Sequence, residues 1–232
     1  MKLASFFSGG KDSTYSIYLS IQTGHSVECL LTINTECEDS MLFHFPNTWI
    51  TNLQSKIMDI PLLSNTIYTN DLDDEIKVLD TMVKLAKDKY GIEGIVHGGI
   101  SSNFQKKIFN EICVKNNLIL FSPLWNIDQY TYMHQLLNNK FVIILIGVSA
   151  MGLDQAWLGS VIDHPSLEKL TKLSKKNGFN LAFEGGEAET LVIDCPIFNK
   201  KLEITSFITE WDGQRGIVKI SDIILKDKEH AK

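Results

Sequence analysis

The sequence predicts an α/β protein built on a doubly wound parallel sheet, and three observations support this fold class. Short apolar segments alternate with longer amphipathic segments through the first half of the chain, as in folds whose strands and helices alternate. The short segments, such as Cys29–Ile33, are almost continuously apolar, which is typical of strands buried on both faces. The 232 residues are 44% hydrophobic and 22% charged, which excludes a mainly disordered, collagenous or coiled-coil protein.

Five strands are predicted in the first half of the chain. Each is a short apolar run, and each is separated from the next by a segment long enough to hold a helix. The predicted strands are Leu3–Phe7, Val27–Ile33, Leu62–Tyr68, Gly94–His97 and Leu118–Phe121. Parallel strands need crossover connections of this kind, since a short hairpin turn joins only antiparallel strands.

The first two helices are marked by residues that favour helix ends. A loop over Ser8–Lys11 leads into a helix that begins at about Asp12 and ends near Gly24, a residue type that suits the position after a helix. Asn47 is predicted to cap a second helix that runs to Met58. These helices would connect the first three strands.

Two further helices follow the same logic. Asp71–Tyr90 is acidic at its start and rich in lysine near its end, which matches the helix dipole, and Gly91 follows it. Ser102–Lys115 is predicted as the fourth helix, because Ser102 is a good capping residue. The first half therefore holds a regular alternation of strands and helices.

The second half is less regular and predicts a smaller α+β domain. Phe141–Val148 is a strong strand, and Leu167–Lys176 is a short amphipathic helix ended by Gly178. Leu202–Leu225 is predicted as a hairpin with Asp212-Gly213 near its turn.

The change of pattern near Pro123–Asp128 predicts a domain boundary. We expect a first domain over residues 1–125 and a second over residues 126–232. No apolar run approaches the roughly 18 residues of a membrane span, and Met1–Phe7 is too short for the apolar region of a signal peptide. We therefore expect a cytoplasmic protein with no membrane partner.

The charge gives no indication of a nucleic-acid-binding protein, and the cysteine spacing argues against a zinc or disulfide-rich protein. The net charge is −6 at pH 7, and no basic stripe indicates a dedicated nucleic-acid surface. The four cysteines, Cys29, Cys37, Cys113 and Cys195, form no C-x-x-C pair. Free thiols are expected, rather than a zinc site or a disulfide framework.

A glycine-rich loop is the strongest local motif. It lies between the first strand and the first helix and consists of Ser8, Gly9, Gly10, Lys11, Asp12 and Ser13. Glycines allow close backbone approach to an anion, and the helix start adds N–H groups that favour phosphate. The loop fails the G-x-x-x-x-G-K-[ST] pattern, because Ser5 replaces the first glycine and Asp12 follows the lysine. The alternative reading is a tight turn with Asp12 as a helix cap.

The loop resembles the SGGxDS signature of PP-loop ATP pyrophosphatases. Four other segments narrow the resemblance to the diphthine–ammonia ligase (diphthamide synthetase) family: Phe43–Asn47, His97–Gln105, Pro123–Trp125 and Glu184–Pro196. Their order and spacing match from Lys2 to about Phe198, and a glycine loop followed by EGGExET is not a general ATPase pattern. Ala188 and Ser160 depart from the more common family residues.

The resemblance implies both a fold and a reaction. The first domain would be a HUP-type (adenine nucleotide alpha hydrolase-like) nucleotide-binding fold with strand order 3-2-1-4-5, and the second would be a family-specific domain that closes over the site. ATP, with Mg²⁺, would activate the carboxylate of diphthine on elongation factor 2 as an acyl-adenylate. Ammonium would then supply the nitrogen, giving diphthamide, AMP and pyrophosphate. The oligomeric state stays open, a homodimer included.

The resemblance also implies the site residues, which we group by role. Catalytic roles are expected for Lys11, Asp12, Glu184, Glu187 and Glu189. Nucleotide contacts are expected for Ser8, Gly9, Gly10, Lys11, Asp12, Ser13, Gly98, Gly99, Ser102 and Asn103. Substrate contacts are expected for His44, Asn47, Gln105, Trp125, Gly185, Gly186 and Thr190. No metal ligands are assigned.

The residues themselves support part of this list. In the order 3-2-1-4-5 the connections reverse between the first and fourth strands, and ligands bind at such a switch point. The glycine loop follows the first strand and Gly98 follows the fourth, so both would border one crevice. Structural alternatives stay open: a solvated acidic turn for the glutamates, helix-start residues for Asn103 and Gln105, and core packing for Trp125.

Three other functions remain as alternatives. A related enzyme could amidate a small-molecule carboxylate, and the sequence alone does not distinguish that activity from amidation of diphthine. A tRNA-modifying pyrophosphatase would share the loop, but the acidic charge and scattered cysteines count against it. A non-catalytic nucleotide sensor is the third alternative, but it does not account for the acidic EGGEAET segment.

Overall fold

The computed structural model describes residues 1–35, 47–68 and 71–228. By its internal contacts the chain divides into two compact units, Met1–Asn126 and Ile127–Lys232. Within the described ranges no helix combines the length and the apolar character needed to cross a bilayer.

A five-stranded parallel sheet forms the centre of the first unit. Its strands are β1 (Lys2–Phe6), β2 (Ser26–Thr35), β3 (Leu62–Ile67), β4 (Gly94–Val96) and β5 (Ile119–Phe121). They are ordered β3-β2-β1-β4-β5, and each neighbouring pair is parallel. The predicted fold class and strand order are therefore confirmed, with the reversal between β1 and β4.

In the described parts of the connections, these strands are joined by the helices α1 (Lys11–Gln22), α2 (Ile50–Met58), α3 (Leu72–Tyr90) and α4 (Asn103–Lys115). The α3 and α4 helices pack on the sheet through buried residues such as Leu79, Val83 and Phe109. The Asp71 carboxylate accepts the backbone N–H of Asp74 and starts α3, while Gly91, at φ 64°, ends it. Local capping and apolar periodicity therefore account for these elements.

One predicted helix cap is wrong, and one helix start differs from the prediction by a single residue. Asn47 does not cap α2: the capping position is Trp49, which makes no side-chain cap bond, and the carbonyl of Asn47 accepts the N–H of Ile50. Asn47 has φ 71°, a left-handed conformation that asparagine tolerates better than most residues. The α1 helix begins one residue before Asp12, so Lys11 lies in its first turn and not in the loop.

A buried carboxylate joins α3 to α4. Asp80 accepts hydrogen bonds from Lys84 and Lys115 at 2.8 and 2.9 Å and from Asn116 at 2.7 Å. Burial alone would raise the pKa of Asp80, but these three donors outweigh it and lower that pKa to about 2. Because it bonds two helices that cover one face of the sheet, Asp80 stabilises their packing.

The second unit, described to residue 228, contains an antiparallel sheet and two α-helices. Its strands are β6 (Val142–Val148), β7 (Val161–Ile162), β8 (Ala188–Asp194), β9 (Lys200–Trp211) and β10 (Gly216–Asp227), and its helices are α5 (Gln129–Asn138) and α6 (His164–Asn177). The order is β7-β6-β10-β9, and β8 also pairs with β6. The smaller α+β domain is confirmed.

The hairpin and helix predicted for this unit are present, in longer form. The β9–β10 hairpin turns around Gly213, at φ 105°, where the side chain of Asp212 accepts two backbone N–H groups. Asp163 and Ser166 form a capping box at the start of α6. The elements α5, β7 and β8 were not predicted, because their sequences lack strong apolar periodicity or are too short.

Candidate functional site

The glycine loop is shaped by contacts that only glycine permits. Gly9 has φ +83°, and a Cβ there would lie 2.3 Å from Oε1 of Gln54. The amide of Gln54, buried on α2, donates to the carbonyl of Gly9 at 3.0 Å. The loop therefore rests on α2, and a larger side chain at position 9 would require both backbone strain and displacement of Gln54.

Serine and threonine side chains fix the rest of the loop. The hydroxyls of Ser8 and Ser13 lie 3.1 Å apart, and the N–H of Ser8 donates to Ser13 Oγ at 3.3 Å. Thr14 Oγ1 donates to the carbonyl of Gly10 at 2.8 Å. The predicted residues Ser8, Gly9, Gly10 and Ser13 thus form one ordered turn at the start of α1, where helix N–H groups favour an anion.

Lys11 and Asp12 form an ion pair beside this turn. Nζ of Lys11 lies 2.9 Å from Oδ2 of Asp12, and the two side chains are 2% and 32% exposed. The lysine is thus almost fully buried, while the carboxylate reaches solvent. Asp12 does not act as the helix cap that the sequence left open, since the capping position is Gly10.

The segment after β4 approaches the glycine loop closely. A Cβ on Gly98 would lie 2.7 Å from the backbone carbon of Asp12 and 2.8 Å from the nitrogen of Ser13. Real Cβ atoms essentially never come so near a backbone atom, so glycine is required here. The structure thereby brings together the two predicted borders of the crevice, as expected for the switch point between β1 and β4.

His97 packs beneath this segment. Its ring is 4% exposed and meets Phe109 edge-on at 4.8 Å between centroids, and a Cβ on Gly99 would collide with it at 2.2 Å. Burial, followed by the charge of Lys106, lowers the pKa of His97 to about 4. The ring is therefore neutral near pH 7, and its packing explains why position 99 is a glycine.

The start of α4 supplies the remaining predicted contacts in this unit. The hydroxyl of Ser102 accepts the N–H of Gln105 at 3.4 Å and caps the helix, while Asn103 is exposed at its first turn. Trp125, which follows β5, is partly buried, and Nζ of Lys106 lies 3.6 Å from the centre of its ring. The ring of Trp125, for which a substrate contact was expected, therefore already faces a cation.

In the second unit, Glu187 holds the turn that contains the two glycines. Its Oε1 accepts the N–H of Asn180 at 2.9 Å, and its Oε2 accepts the N–H of Gly185 at 2.8 Å. Its carbonyl accepts the N–H groups of Ser149 and Ala150 at 2.9 and 3.2 Å. This carboxylate has a structural task that the sequence did not indicate, and its catalytic role stays a prediction.

The other residues of the EGGEAET segment lie around that turn. Gly186 has φ +78°, and a Cβ added there would meet no atom within 4 Å. Glu184 and Glu189 are partly buried, and Thr190 is buried on β8 opposite Leu145. In the described part of the chain no three His, Cys, Asp or Glu side chains are grouped as metal ligands, so the three glutamates do not form a metal cluster.

A cavity of about 490 Å³ lies elsewhere in the second unit. Its lining comes from the sheet strands and is mostly apolar: Val142, Ile144, Gly159, Val161, Ile193, Asp194, Lys201, Leu202, Glu203, Ile204, Phe207 and Val218. None of the predicted site residues lines it. The predicted chemistry is therefore not associated with this cavity.

The expected substrate contact of His44 and the expected free thiols remain to be compared with the structure. His44 and Cys37 lie outside the described residues. The thiols of Cys29, Cys113 and Cys195 are free and buried, and burial raises the pKa of Cys195 to about 12. A thiolate at Cys195 is therefore not available for chemistry.

Sequence reasoning missed two residues of this region, Gln54 and Lys106. Gln54 supports the loop from a helix more than forty positions away in sequence, so no local pattern could indicate it. Lys106 follows Gln105 directly in the motif after β4. Its position next to a predicted site residue could have indicated a role in the site. A lysine on a helix is usually solvated, however, so nothing in the sequence was a reason to select it.

The chain matches known families over most of its length. The family described as "Diphthamide synthase N-terminal domain" matches residues 1–119, and "Diphthamide synthase C-terminal domain" matches residues 128–225. Proteins named diphthine–ammonia ligase from Homo sapiens and Bos taurus are each 32% identical over 224 residues, covering 89% of this chain and 84% of theirs. The Schizosaccharomyces pombe protein of that name is 30% identical, and the match covers 98% of this chain and 40% of that protein.

A solved structure shows a weaker likeness. It is described as a predicted subunit of tRNA methyltransferase from Methanocaldococcus jannaschii, with 15% identity and a TM-score of 0.44, covering 84% of this chain and 98% of that one. A likeness at that level supports no argument about this protein. The family matches and the curated relatives, in contrast, agree with each other and with the motifs, so the chain belongs to the diphthamide synthase family.

Proposed function

We propose that this protein is an ATP-dependent ligase that converts the carboxylate of diphthine, on elongation factor 2, to the amide of diphthamide. The single observation that supports this most directly is the ordered glycine loop and its contact with Gly98, within a chain of the diphthamide synthase family. The curated relatives carry the name diphthine–ammonia ligase.

The reaction would proceed in two steps. A carboxylate oxygen of diphthine attacks the α-phosphorus of ATP, the bond to the β-phosphate oxygen breaks, and pyrophosphate leaves with its negative charge. Ammonium loses a proton to water, and the nitrogen of the resulting ammonia attacks the acyl carbon. The bond from that carbon to the phosphate oxygen breaks, AMP leaves, and the nitrogen loses a second proton to give the amide. The first step needs positive charge and N–H donors where pyrophosphate forms.

The glycine loop would hold the departing pyrophosphate. Its backbone is fixed by Ser8, Ser13 and Gln54, so N–H groups at the start of α1 are in position before the nucleotide binds. Lys11 adds a buried cation beside them, paired with Asp12. Preorganised groups of this kind stabilise a transition state without being rearranged during the reaction.

Mg²⁺ fits this arrangement through Asp12. Magnesium usually binds through one or two carboxylates together with substrate phosphates and water. Asp12 is the exposed member of its ion pair, and the described residues hold no ready-made cluster of three acidic or imidazole ligands. Asp12 would therefore share the ion with the nucleotide, and the ion would neutralise phosphate charge.

The EGGEAET turn would serve the acyl group and ammonium. Glu187 would position the turn, while Glu184 and Glu189 would attract ammonium or the quaternary ammonium of diphthine. A carboxylate attracts such a cationic ligand through its opposite charge. Gly185 and Gly186 would allow the backbone to approach the substrate closely.

The test combines purified protein, ATP, Mg²⁺, ammonium and elongation factor 2 that carries diphthine. We expect the acid-to-amide change in the mass spectrum of the factor, with AMP and pyrophosphate as the nucleotide products. Lys11→Met, which fills the buried space of Lys11 without its charge, should lower turnover by about 100-fold. ADP as the main product, or an amide formed equally on the unmodified factor, would contradict the proposal.

A small-molecule carboxylate remains the second candidate substrate. If AMP forms only when such a carboxylate replaces the factor, the ligase chemistry stands and the protein substrate does not. Free tRNA serves as the negative control, because the chain has a net charge of −6 and phosphate contacts require Lys and Arg.

A further inference from the structure

A lysine at the edge of the nucleotide crevice is held in an unusual place. Lys106 lies in the first turns of α4, and its Nζ is 3.6 Å from the centre of the Trp125 ring. Trp125 follows β5, and α4 follows β4, so both residues come after the carboxyl ends of neighbouring strands. A cation over an aromatic face is attracted by the ring quadrupole, which restricts where the ammonium group lies.

Lys106 differs in its partners from the ion-paired lysines of this unit, and it lies closer to a ring than Lys89, whose Nζ is 5.1 Å from the centre of the Tyr90 ring. Lys77 and Lys84 each pair with an aspartate at 2.8 Å, and Lys11 pairs with Asp12 at 2.9 Å. Among the described residues, Lys106 has no carboxylate within ion-pair distance. Its charge is therefore not neutralised by any carboxylate that the structure describes.

The charge of Lys106 reaches the segment that touches the glycine loop. Its field is one of the two causes that lower the pKa of His97, after burial. His97 immediately precedes Gly98, which lies against the backbone of Asp12 and Ser13. Lys106 thus acts electrostatically on the same small region that would hold the phosphates.

The charge of a bound nucleotide favours a further protein cation beside the Mg²⁺ that it brings. The Lys11–Asp12 pair has no net charge, whereas a nucleotide triphosphate carries several negative charges. A cation held near them on a ring face loses less hydration and less side-chain freedom on contact than a fully solvated lysine would.

We propose that Lys106 is a second phosphate-binding cation of the crevice, held ready by the face of Trp125 and moved onto the phosphates of the bound nucleotide. The inference rests on the proposed function in assuming that the glycine loop binds ATP. It assigns to Trp125 the task of holding Lys106, in place of direct contact with the substrate.

Inorganic pyrophosphate with Mg²⁺ is the probe, titrated by calorimetry into the full-length protein. Lys106→Met keeps a long apolar side chain against Trp125 and removes the charge, and we expect pyrophosphate binding to weaken about tenfold, as for loss of one charge-assisted contact. Lys106→Arg should bind within about threefold of the wild type, since arginine also stacks on aromatic rings and binds phosphate. Lys107→Met, at the exposed neighbouring position, is the matched control and should change nothing.

Each outcome decides the inference. Equal binding by Lys106→Met and the wild type, or equal weakening by Lys106→Met and Lys107→Met, would overturn it. If Lys106→Met fails to fold, failure of the folded Lys106→Arg variant to retain affinity would overturn it as well. Wild-type protein that binds pyrophosphate through Lys106 but forms no AMP would retain this inference and refute the proposed function. Equal AMP formation by the wild type and Lys106→Met would refute this inference and retain the proposed function.

Discussion

Asp80→Asn should loosen the packing of α3 against α4. The carboxylate accepts bonds from two lysines and Asn116 and is 9% exposed. Its pKa falls from 3.8 to about 2 in the folded protein. Since each pKa unit corresponds to about 1.4 kcal/mol, the ionised form stabilises the fold by about 2.5 kcal/mol at pH 7. Asparagine resembles the protonated carboxyl, so the variant should lose an amount of this order.

Hydrogen exchange measured by mass spectrometry on α3 and α4 peptides tests this locally. A loss of about 2.5 kcal/mol raises the opening equilibrium, and therefore the exchange rate, by roughly 60-fold. Asp74→Asn is the matched control on the same helix: its ion pair with Lys77 is exposed on both sides, and its loss should change exchange by less than about threefold. Equal effects of the two substitutions would refute the reasoning.

The effect of pH gives a second check on Asp80. The folded-state pKa is lower than the unfolded value, so the stabilisation is complete above about pH 5 and is lost as the pH falls through 4 to 2. About half of the difference between the wild type and Asp80→Asn should therefore disappear by pH 3. A difference that stays constant between pH 7 and pH 3 would show that the carboxylate charge is not its cause.

Three other substitutions test the site. Gly98→Ala places a methyl group 2.7 Å from the backbone of Asp12, so it should destabilise the first unit by about 1–3 kcal/mol in thermal unfolding and reduce AMP formation; normal values for both would contradict the close approach. The wild type should lose about 3 kcal/mol of unfolding free energy as the pH falls from 6.5 to 4, because the pKa of His97 is lower in the folded than in the unfolded state. His97→Phe should remove this loss. An unchanged pH dependence of unfolding in the variant would show that another group causes it. Glu187→Gln replaces one of two acceptor oxygens and should destabilise the turn by about 1–3 kcal/mol. The amides of Asn180 and Gly185 should exchange faster, and amidation should be slower at unchanged ATP affinity. Unchanged exchange of both amides would refute the structural role of Glu187 in this turn.

The sequence alone determined the central fold and the position of its main motif. Apolar runs of strand length, capping residues such as Asp71 and Ser102, and glycines after helices are local signals, and each acts on the few residues around it. They were sufficient for the parallel sheet, its helices and the long hairpin. The family resemblance supplied the strand order, in which β1 and β4 are neighbours, and so indicated that Gly98 and the glycine loop would border one crevice.

Only the tertiary structure decided what the site residues touch. The support of Gly9 by Gln54, the position of Lys106 on Trp125 and the two bonds that Glu187 accepts all join groups that no local periodicity relates. Such contacts depend on strand register and on loop conformation, and a shift of about 1 Å makes or breaks a hydrogen bond. The order of the chain specifies which elements are neighbours, whereas the roles of individual side chains follow from atomic distances that exist only once those elements have packed.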